Sequence, residues 1–465
     1  MLMKNYRKRT ISAIAVCTVL AGIFSGCGTK SDGMKEAKIW MSVGHSKQYW
    51  EQKVEEYNKT RAKETGVKLV LETKTDDAYA QAVELAIQSK QLPEFYFDGG
   101  AETSVEADVV YSLSDLPGME DMIEKYRPYM MENVNMVNGK VYNLPFGMTT
   151  RGLIYNKDMF KEAGIVDENG EAKPPRTYDE VREYAKLLTN ESEQKYGIIF
   201  PIKWAAWVES DIATMSMPSS GRIRAYDPVN GDYDYSTYEP VLRMIQGIKA
   251  DGSYYPGAEG LDNDPARARF ASGNIGMKIS YSFDVGVFNT QFPAEMDWGV
   301  APLPVADTEH CYKQPATVGL TVMVSKTGVE KIGEEAAAGI YKFLYGDDSI
   351  RELYKQGLDM PCIWELAENV EPNEGLVGWS EFAKMAAIST VIGYPMPSDT
   401  SGAESFGDVV INNIWTNGDD PAPILKERTK LENEGIKKYK DVHPDMDYSI
   451  YIDKEWNEKI RRDGF

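Results

Sequence analysis

Aromatic side chains stand just beyond two predicted strands of this sequence. Trp204 and Trp207 follow the β-prone run 196–200, and Phe283 follows the run 275–280. A sugar ring presents apolar C–H faces and a rim of hydroxyl groups, so a site for it needs aromatic platforms beside hydrogen-bonding groups. These residue types could therefore bind a saccharide, although a tryptophan near a strand end belongs to a core about as often.

Catalytic constellations are not visible in the sequence. The three histidines, His45, His310 and His443, are scattered, and no nucleophile elbow, phosphate-binding loop or His-Glu-x-x-His helix occurs. The acidic run 227–234 lacks the last glutamate of a calcium loop and favours a hairpin turn at Asn230-Gly231. We predict no catalytic residue, no metal and no cofactor. The 72 acidic residues nevertheless leave a carboxylate pair, and hence a glycoside hydrolase, open.

The elements that must position these residues alternate between strands and helices. A strand over 38–43, a glycine turn and an amphipathic helix over 48–63 open an α/β pattern. Ligands of open α/β sheets collect at the carboxyl ends of strands, which makes the loops 44–46 and 98–100 candidate lining. Further elements are predicted as strands over 66–72, 93–97, 275–280, 298–301 and 318–324, and as helices over 79–89, 238–251, 265–272 and 333–344, with a largely helical remainder to about 440. Asn138-Gly139 predicts a tight turn, and Thr177 with Glu180 predicts a capping box for a helix to Leu188.

The N-terminus is typical of a secretory signal. Basic residues over 4–9 precede an apolar run over 11–24, which is shorter than the roughly 20 residues of a membrane-spanning helix. The small residues before Cys27 resemble the lipobox of bacterial lipoproteins, whose cysteine receives a diacylglycerol. We predict a lipoprotein signal peptide over 1–26, lipidation of Cys27 and a flexible tether over 27–36. Plain secretion is the alternative.

Composition and charge limit the partners. The 465 residues are 42% hydrophobic and 26% charged, enough for two globular domains. The formal charge is −21, and removal of the four basic residues of the signal leaves 47 basic against 72 acidic residues, or −25. Such a field repels nucleic acid and anionic membranes. We expect a monomer that meets the membrane only through its lipid anchor. Cys311 and Cys362 could pair or remain free.

Four segments carry a resemblance over most of the chain. They are GKVYNLPF at 139–146, LIYNKDMF at 153–160, RFASGNIGM at 269–277 and WGVAPLP at 298–304. In their order and spacing they resemble the family-1 extracellular solute-binding proteins, the group that includes maltose-binding protein. The likeness extends from about residue 38 to about residue 440.

The resemblance implies a type II periplasmic-binding-protein-like fold. This is an α/β fold of two discontinuous lobes joined by hinge crossings, with the ligand held between the lobes. The expected crossings fall at 144–148, 300–304 and 345–349. The expected division is an N-lobe of 37–147 with 303–346, a C-lobe of 148–302 with 347–440, and a C-terminal extension over 441–465, interpreted as a surface helix.

The resemblance also implies a site. Trp204 and Trp207 match positions of ring-stacking aromatics in maltose-binding proteins, and so does Phe283. Where those proteins carry a tryptophan at the Asp98 position this chain has an acid, so we expect a different ligand. The predicted ligand contacts are Gly44, His45, Ser46, Asp98, Gly99, Thr149, Arg151, Trp204, Trp207, Ser282, Phe283, Asp284, Glu404 and Phe406. Asp98 could instead cap a helix, and Arg151 could form an interlobe salt bridge.

The function predicted in this way is solute capture outside the cell. The chain would be the lipid-anchored receptor of an ABC importer on the outer face of the cytoplasmic membrane. It would close its lobes on a carbohydrate, expected to be an oligosaccharide, and deliver it to the permease subunits without acting as an enzyme. A secreted glycoside hydrolase and a sugar sensor or adhesin on the same fold are the alternatives. A polyol, glycerophosphate or peptide ligand stays open. The acidic balance and Asp98 disfavour an anionic ligand, although Arg151 could accommodate a uronic acid.

Overall fold

The structure, a computed structural model, describes residues 33–42, 46–74, 76–97, 101–132, 134–319, 321–462 and 464–465. The predicted signal peptide and Cys27 lie outside these residues, as do Gly44, His45, Asp98 and Gly99. Across the described segments, every helix is too short or too polar to span a membrane.

The strands are at most eight residues long. In chain order they are β1 Lys35–Ser42, β2 Val67–Lys74, β3 Phe95–Phe97, β4 Val110–Tyr111, β5 Met136–Val137, β6 Lys140–Val141, β7 Gly147–Thr149, β8 Arg151–Asn156, β9 Tyr196–Ile198, β10 Tyr226–Asp227, β11 Asp232–Tyr233, β12 Ile275–Tyr281, β13 Trp298–Ala301, β14 Cys311–Tyr312, β15 Gln314–Gly319, β16 Val322–Ser325, β17 Met360–Pro361, β18 Ser389–Val391 and β19 Arg461–Arg462.

Helices connect most of these strands. In chain order they are α1 Lys47–Thr60, α2 Ala62–Thr65, α3 Asp76–Ser89, α4 Glu102–Glu106, α5 Glu120–Tyr126, α6 Lys157–Glu162, α7 Tyr178–Leu188, α8 Ala205–Ser220, α9 Glu239–Ala250, α10 Asn263–Ala271, α11 Asp284–Gly286, α12 Lys326–Ile332, α13 Glu334–Tyr345, α14 Asp347–Lys355, α15 Trp379–Ala387, α16 Phe406–Val409, α17 Pro421–Val442 and α18 Trp456–Lys459.

Two sheets form the centres of the two lobes. The first has the order β2-β1-β3-β16-β4, with β1 parallel to β2 and β3 and with β16 antiparallel to β3 and β4. The second has the order β13-β8-β12-β9. All residues of β8 and β12 are buried, because helices cover both faces of this sheet. The molecule therefore has the two-lobed type II fold that the resemblance implies.

A third sheet carries the chain between the lobes. Its order is β17-β7-β15-β18, and β7 pairs antiparallel with both β15 and β17. Only Thr150 separates β7 from β8 of the second sheet, and β15 leads to β16 of the first sheet. Rotation of one lobe against the other must therefore be absorbed by these strands.

The apolar clusters indicate where the lobes divide. Leu303 packs in a cluster of the second lobe, whereas Ile350 and Leu353 pack in the cluster of the first lobe. Both assignments differ from the expected crossings at 300–304 and 345–349. We propose that the second and third crossings are β15 and β17 instead.

The C-terminal segment is not the surface helix expected over 441–465. It forms a short turn at Tyr448–Tyr451, the four-residue helix α18, and β19, which pairs with β14. Ile460 is 1% exposed, and the Trp456 indole donates to the Gly221 carbonyl over 2.7 Å. The aromatic residues of the tail therefore pack against the second lobe instead of facing solvent.

The predicted capping box at the start of α7 is present. The Thr177 hydroxyl accepts from the Glu180 amide over 3.2 Å, and the Glu180 carboxylate accepts from the Thr177 amide over 3.2 Å. We expect Thr177→Ala to lower the free energy of unfolding by about 1 kcal/mol, because an amide of the first turn loses its acceptor. Urea unfolding measures the loss, and Thr177→Ser is the control that keeps the acceptor. Equal losses in the two variants would contradict the explanation.

Candidate functional site

Four aromatic rings form a continuous surface on the second lobe, which we call the aromatic wall. The members are Trp204, Trp207, Tyr281 and Phe283. Ring centres are 5.9 Å apart between Trp204 and Trp207 and 5.4 Å apart between Trp207 and Tyr281. Tyr281 and Phe283 stack at 5.3 Å with an interplanar angle of 5°. Trp204 is 51% exposed, whereas Tyr281 is buried at the back of the wall.

The members of the aromatic wall lie close together because they lie at or just beyond the ends of neighbouring strands. Trp204 immediately precedes α8, shortly beyond β9, and Phe283 lies two residues past the end of β12. β9 and β12 are neighbouring parallel strands, so their carboxyl ends meet at one edge of the sheet. Sequence reasoning missed Tyr281, since the predicted strand ended at residue 280. Its place opposite Arg151 depends on the β8–β12 register, which one sequence does not reveal.

Charged groups lie behind Tyr281. The Arg151 guanidinium stands 5.2 Å from the Tyr281 ring centre, and the Tyr281 hydroxyl donates to Asp211 over 2.9 Å. Burial raises the pKa of Asp211, which nearby Lys278 and Arg151 partly offset. Burial likewise lowers the pKa of Lys278, whose ammonium donates to the Ile279 carbonyl over 2.8 Å. The site therefore has a polar interior beneath an aromatic surface.

An ion pair supports Phe283 from below. Asp284 is 0% exposed and lies 2.5 Å from Arg267, which stands 5.5 Å from the Phe283 ring centre. The Asp284 carboxylate also accepts from the Ser280 hydroxyl and, over 3.3 Å, from the Tyr281 amide. These partners leave Asp284 a structural role instead of the predicted ligand contact.

Two of the predicted ligand contacts, Thr149 and Ser282, lie at the hinge crossing. Thr149 is half-buried on β7 opposite Thr317 of β15, so it lies on the crossing itself. Ser282 is 2% exposed and exchanges bonds with Thr150, as its hydroxyl accepts from the Thr150 amide over 3.2 Å and its amide donates to the Thr150 carbonyl over 3.0 Å. Ser282 thus joins β12 to the crossing, and its burial leaves it a structural role instead of the predicted ligand contact.

Phe406 does not face a cleft. Its ring is 0% exposed and lies 4.9 Å from the Tyr235 ring and 5.6 Å from the Tyr238 ring, inside the core of the second lobe. The predicted contact at Phe406 is wrong because three aromatic residues close a core there. Glu404 is exposed and accepts from the Asn412 amide over 2.7 Å, which fixes the loop before α16.

Two adjacent strands of the first lobe precede the contacts predicted there. The predicted contacts Gly44 and His45 follow β1, and Asp98 and Gly99 follow β3; all four lie outside the described residues. Since β1 and β3 are adjacent and parallel, their carboxyl ends lie at the same edge. Ser46 is buried at the start of α1.

Metal and disulfide chemistry find no support in the described part of the chain. No cluster of three His, Cys, Asp or Glu residues there could hold a metal ion. The acidic run forms the predicted hairpin of β10 and β11, with Asp227 paired to Arg222 at 2.9 Å. Cys311 and Cys362 are both buried and free, and burial raises the pKa of the Cys362 thiol to about 12.

A cavity of about 910 Å³ lies elsewhere, where Met148 of β7 meets residues of both lobes. Its lining includes Tyr129, Met131, Trp364 and Lys384. None of the predicted contacts lines it, so it is separate from the aromatic wall.

Comparison with known sequences decides the family. The sequence profile of the bacterial extracellular solute-binding proteins matches residues 44–349. The chain belongs to this family. Among individual solute-binding proteins it is similar to the sn-glycerol-3-phosphate-binding periplasmic protein UgpB of Escherichia coli K12, with 22% identity over 313 residues that cover 65% of this chain and 68% of UgpB.

Solved structures of solute-binding proteins share the fold. The GacH receptor of Streptomyces glaucescens, which was solved unliganded and with acarbose, aligns with a TM-score of 0.67 at 14% identity and covers 89% of this chain and 100% of its own. A sugar transporter of Bacillus licheniformis in complex with stachyose aligns with a TM-score of 0.61 at 15% identity over 85% of this chain and 100% of its own.

Proposed function

We propose that this extracellular solute-binding protein is the receptor of an ABC importer and binds a carbohydrate between its lobes. The observation that carries the proposal is the aromatic wall, which gathers apolar rings suited to the C–H faces of a sugar next to the hinge crossing. The neighbours with acarbose and stachyose bind oligosaccharides in the same fold, which supports an oligosaccharide here.

The proposed contacts are a subset of those predicted. Trp204, Trp207 and Phe283 would stack on sugar rings, while Thr149 and Arg151 would bond to polar groups beside the crossing. From the first lobe, the loops 44–46 and 98–99 would close over the exposed face of the ligand. Ser282, Asp284, Glu404 and Phe406 are left out, because their partners within the protein account for them.

Capture would occur by lobe closure. A ligand that contacts both lobes only in the closed form shifts the hinge equilibrium towards closure by its differential affinity for the two forms. The closed form is what the permease subunits would recognise. We propose that the chain works as a monomer without turnover of its ligand and is held at the outer face of the cytoplasmic membrane through Cys27.

Ligand-dependent compaction is the expected outcome of a direct test. Calorimetric titration with neutral and acidic oligosaccharides identifies a ligand, and small-angle scattering should then show a smaller radius of gyration on its addition. A released reducing end would favour the hydrolase. Binding without compaction would contradict the closure mechanism.

A polyol phosphate is the second candidate ligand. The similar protein UgpB binds sn-glycerol 3-phosphate, and a buried guanidinium beside the crossing in this chain is suited to an oxyanion. A small polyol would use little of the four-ring wall, which is why we propose it second.

A further inference from the structure

Among the described residues, no carboxylate forms an ion pair with the buried Arg151. Arg151 is 7% exposed, and its Nη1 donates a long bond of 3.4 Å to the Pro315 carbonyl. Its buried Nε has no hydrogen-bond acceptor among the described residues. An unpaired buried charge costs several kcal/mol unless a partner and full hydrogen bonding offset the loss of water. The folded protein therefore holds a buried guanidinium with an unsatisfied Nε.

The neighbouring acids do not balance this charge. Asp284 is taken by Arg267 at 2.5 Å. Lys278 faces both Asp284 and Asp211, and burial raises the pKa of Asp211. Asp211 accepts the Tyr281 hydroxyl over 2.9 Å. The described acids therefore have partners other than Arg151.

Arg151 lies between the aromatic wall and the hinge crossing. Arg151 is the first residue of β8, directly beyond the crossing at β7, and it bonds to Pro315 of β15. It also stands over Tyr281, the ring that joins Trp207 to Phe283. The guanidinium therefore lies between the back of the wall and β15, where a ligand that extends from the wall to the crossing would reach it.

We propose that the ligand is a saccharide with an acidic substituent, and that Arg151 binds its oxyanion. This inference rests on the proposed function and narrows its ligand class. The planar fork of a guanidinium matches a carboxylate or a phosphate with two parallel hydrogen bonds, which a neutral hydroxyl does not reproduce. A uronic acid and a phosphate ester share this chemistry.

The negative charge of the whole chain does not oppose this contact. The formal charge is −21, yet at physiological ionic strength exposed charges are screened beyond about 8 Å. A bidentate contact acts at hydrogen-bond distance, where the attraction of the nearest cation exceeds the repulsion of distant, screened charges.

Matched ligand pairs test the inference on the unaltered protein. Calorimetry would compare uronic-acid oligosaccharides of several backbones with their methyl esters, and glycerol 3-phosphate with glycerol. We expect at least one acidic member to bind about tenfold or more tighter than its neutral twin. Tight binding of glycerol 3-phosphate alone would identify a polyol phosphate as the source of the oxyanion, and would support the role of Arg151 while contradicting the oligosaccharide.

Variants assign the preference to Arg151. The ratio of acidic to neutral affinity should fall to about one in Arg151→Gln and stay intermediate in Arg151→Lys, which keeps the charge but loses the fork. Two results would overturn the inference and leave the proposed function standing. One is equal affinity of the parent protein for the acidic and neutral members of every pair, and the other is an unchanged ratio of acidic to neutral affinity in Arg151→Gln. Failure of every panel member to bind would overturn both.

Discussion

Alanine at both Trp204 and Trp207 is expected to lower saccharide affinity by at least about a hundredfold. Aromatic anchors at the centre of a binding surface are each worth about 2 kcal/mol or more on truncation, and these two rings form the exposed half of the wall. The fold should survive, because Trp204 is 51% exposed and Trp207 half-buried. Calorimetry with a ligand found for the parent protein measures the affinity, and urea unfolding measures the stability.

Trp364 offers a matched control for this double variant. It is 37% exposed and belongs to the separate cavity, with its ring 6.0 Å from Tyr354. Trp364→Ala removes a surface tryptophan of comparable exposure and should leave affinity within about twofold of the parent. The aromatic wall would not be the platform if the double variant bound like this control.

Local signals were sufficient for much of the fold. The Asn138-Gly139 turn forms the β5–β6 hairpin with φ of 52° and 75°, a geometry these two residue types tolerate. The Thr177 capping box forms as expected, and the strand predicted over 298–301 has the same bounds in the structure. Each of these depends on residues within a few positions of one another, which a single sequence does contain.

Distant packing decided the features that were missed. Phe406 is a core residue because Tyr235 and Tyr238 meet it from another part of the chain. The tail packs because Gly221 and β14 offer it partners. Neither of these contacts can be predicted from neighbouring residues in the sequence. The same holds for Asp211, whose importance depends on reaching the Tyr281 hydroxyl.

One part of the site could therefore be predicted from residue type, whereas the other part depends on how the strands pair. The aromatic residues beyond the strand ends could be predicted from the sequence, and Trp204, Trp207 and Phe283 do lie on one surface. The charges that support this surface come together only through the antiparallel pairing of β8 with β12, which sets Arg151 opposite Tyr281. Among the charged groups that support the wall, the buried ion pair of Arg267 and Asp284 is the one that substitution tests most directly.

Asp284→Ala is expected to lower the free energy of unfolding by about 3–5 kcal/mol. The substitution leaves the Arg267 guanidinium, with a side chain 12% exposed, inside the lobe without its main counter-ion. The Ser280 hydroxyl and the Tyr281 amide lose their acceptor as well. Urea unfolding measures the loss. Since Arg267 lies beneath the Phe283 ring, saccharide affinity should fall too, although no bond to the ligand is removed.

Asp264 provides a matched control for Asp284, because it bonds to the same Arg267 guanidinium. It lies 2.6 Å from Arg267, but its side chain is 61% exposed. Water already solvates this carboxylate, so Asp264→Ala should cost less than about 1 kcal/mol. In Asp284→Ala with Arg267→Met, the stranded charge is absent and much of the loss should be recovered. If the two single alanine variants lost equal stability, burial would not set the strength of this pair, and the wall would need another support.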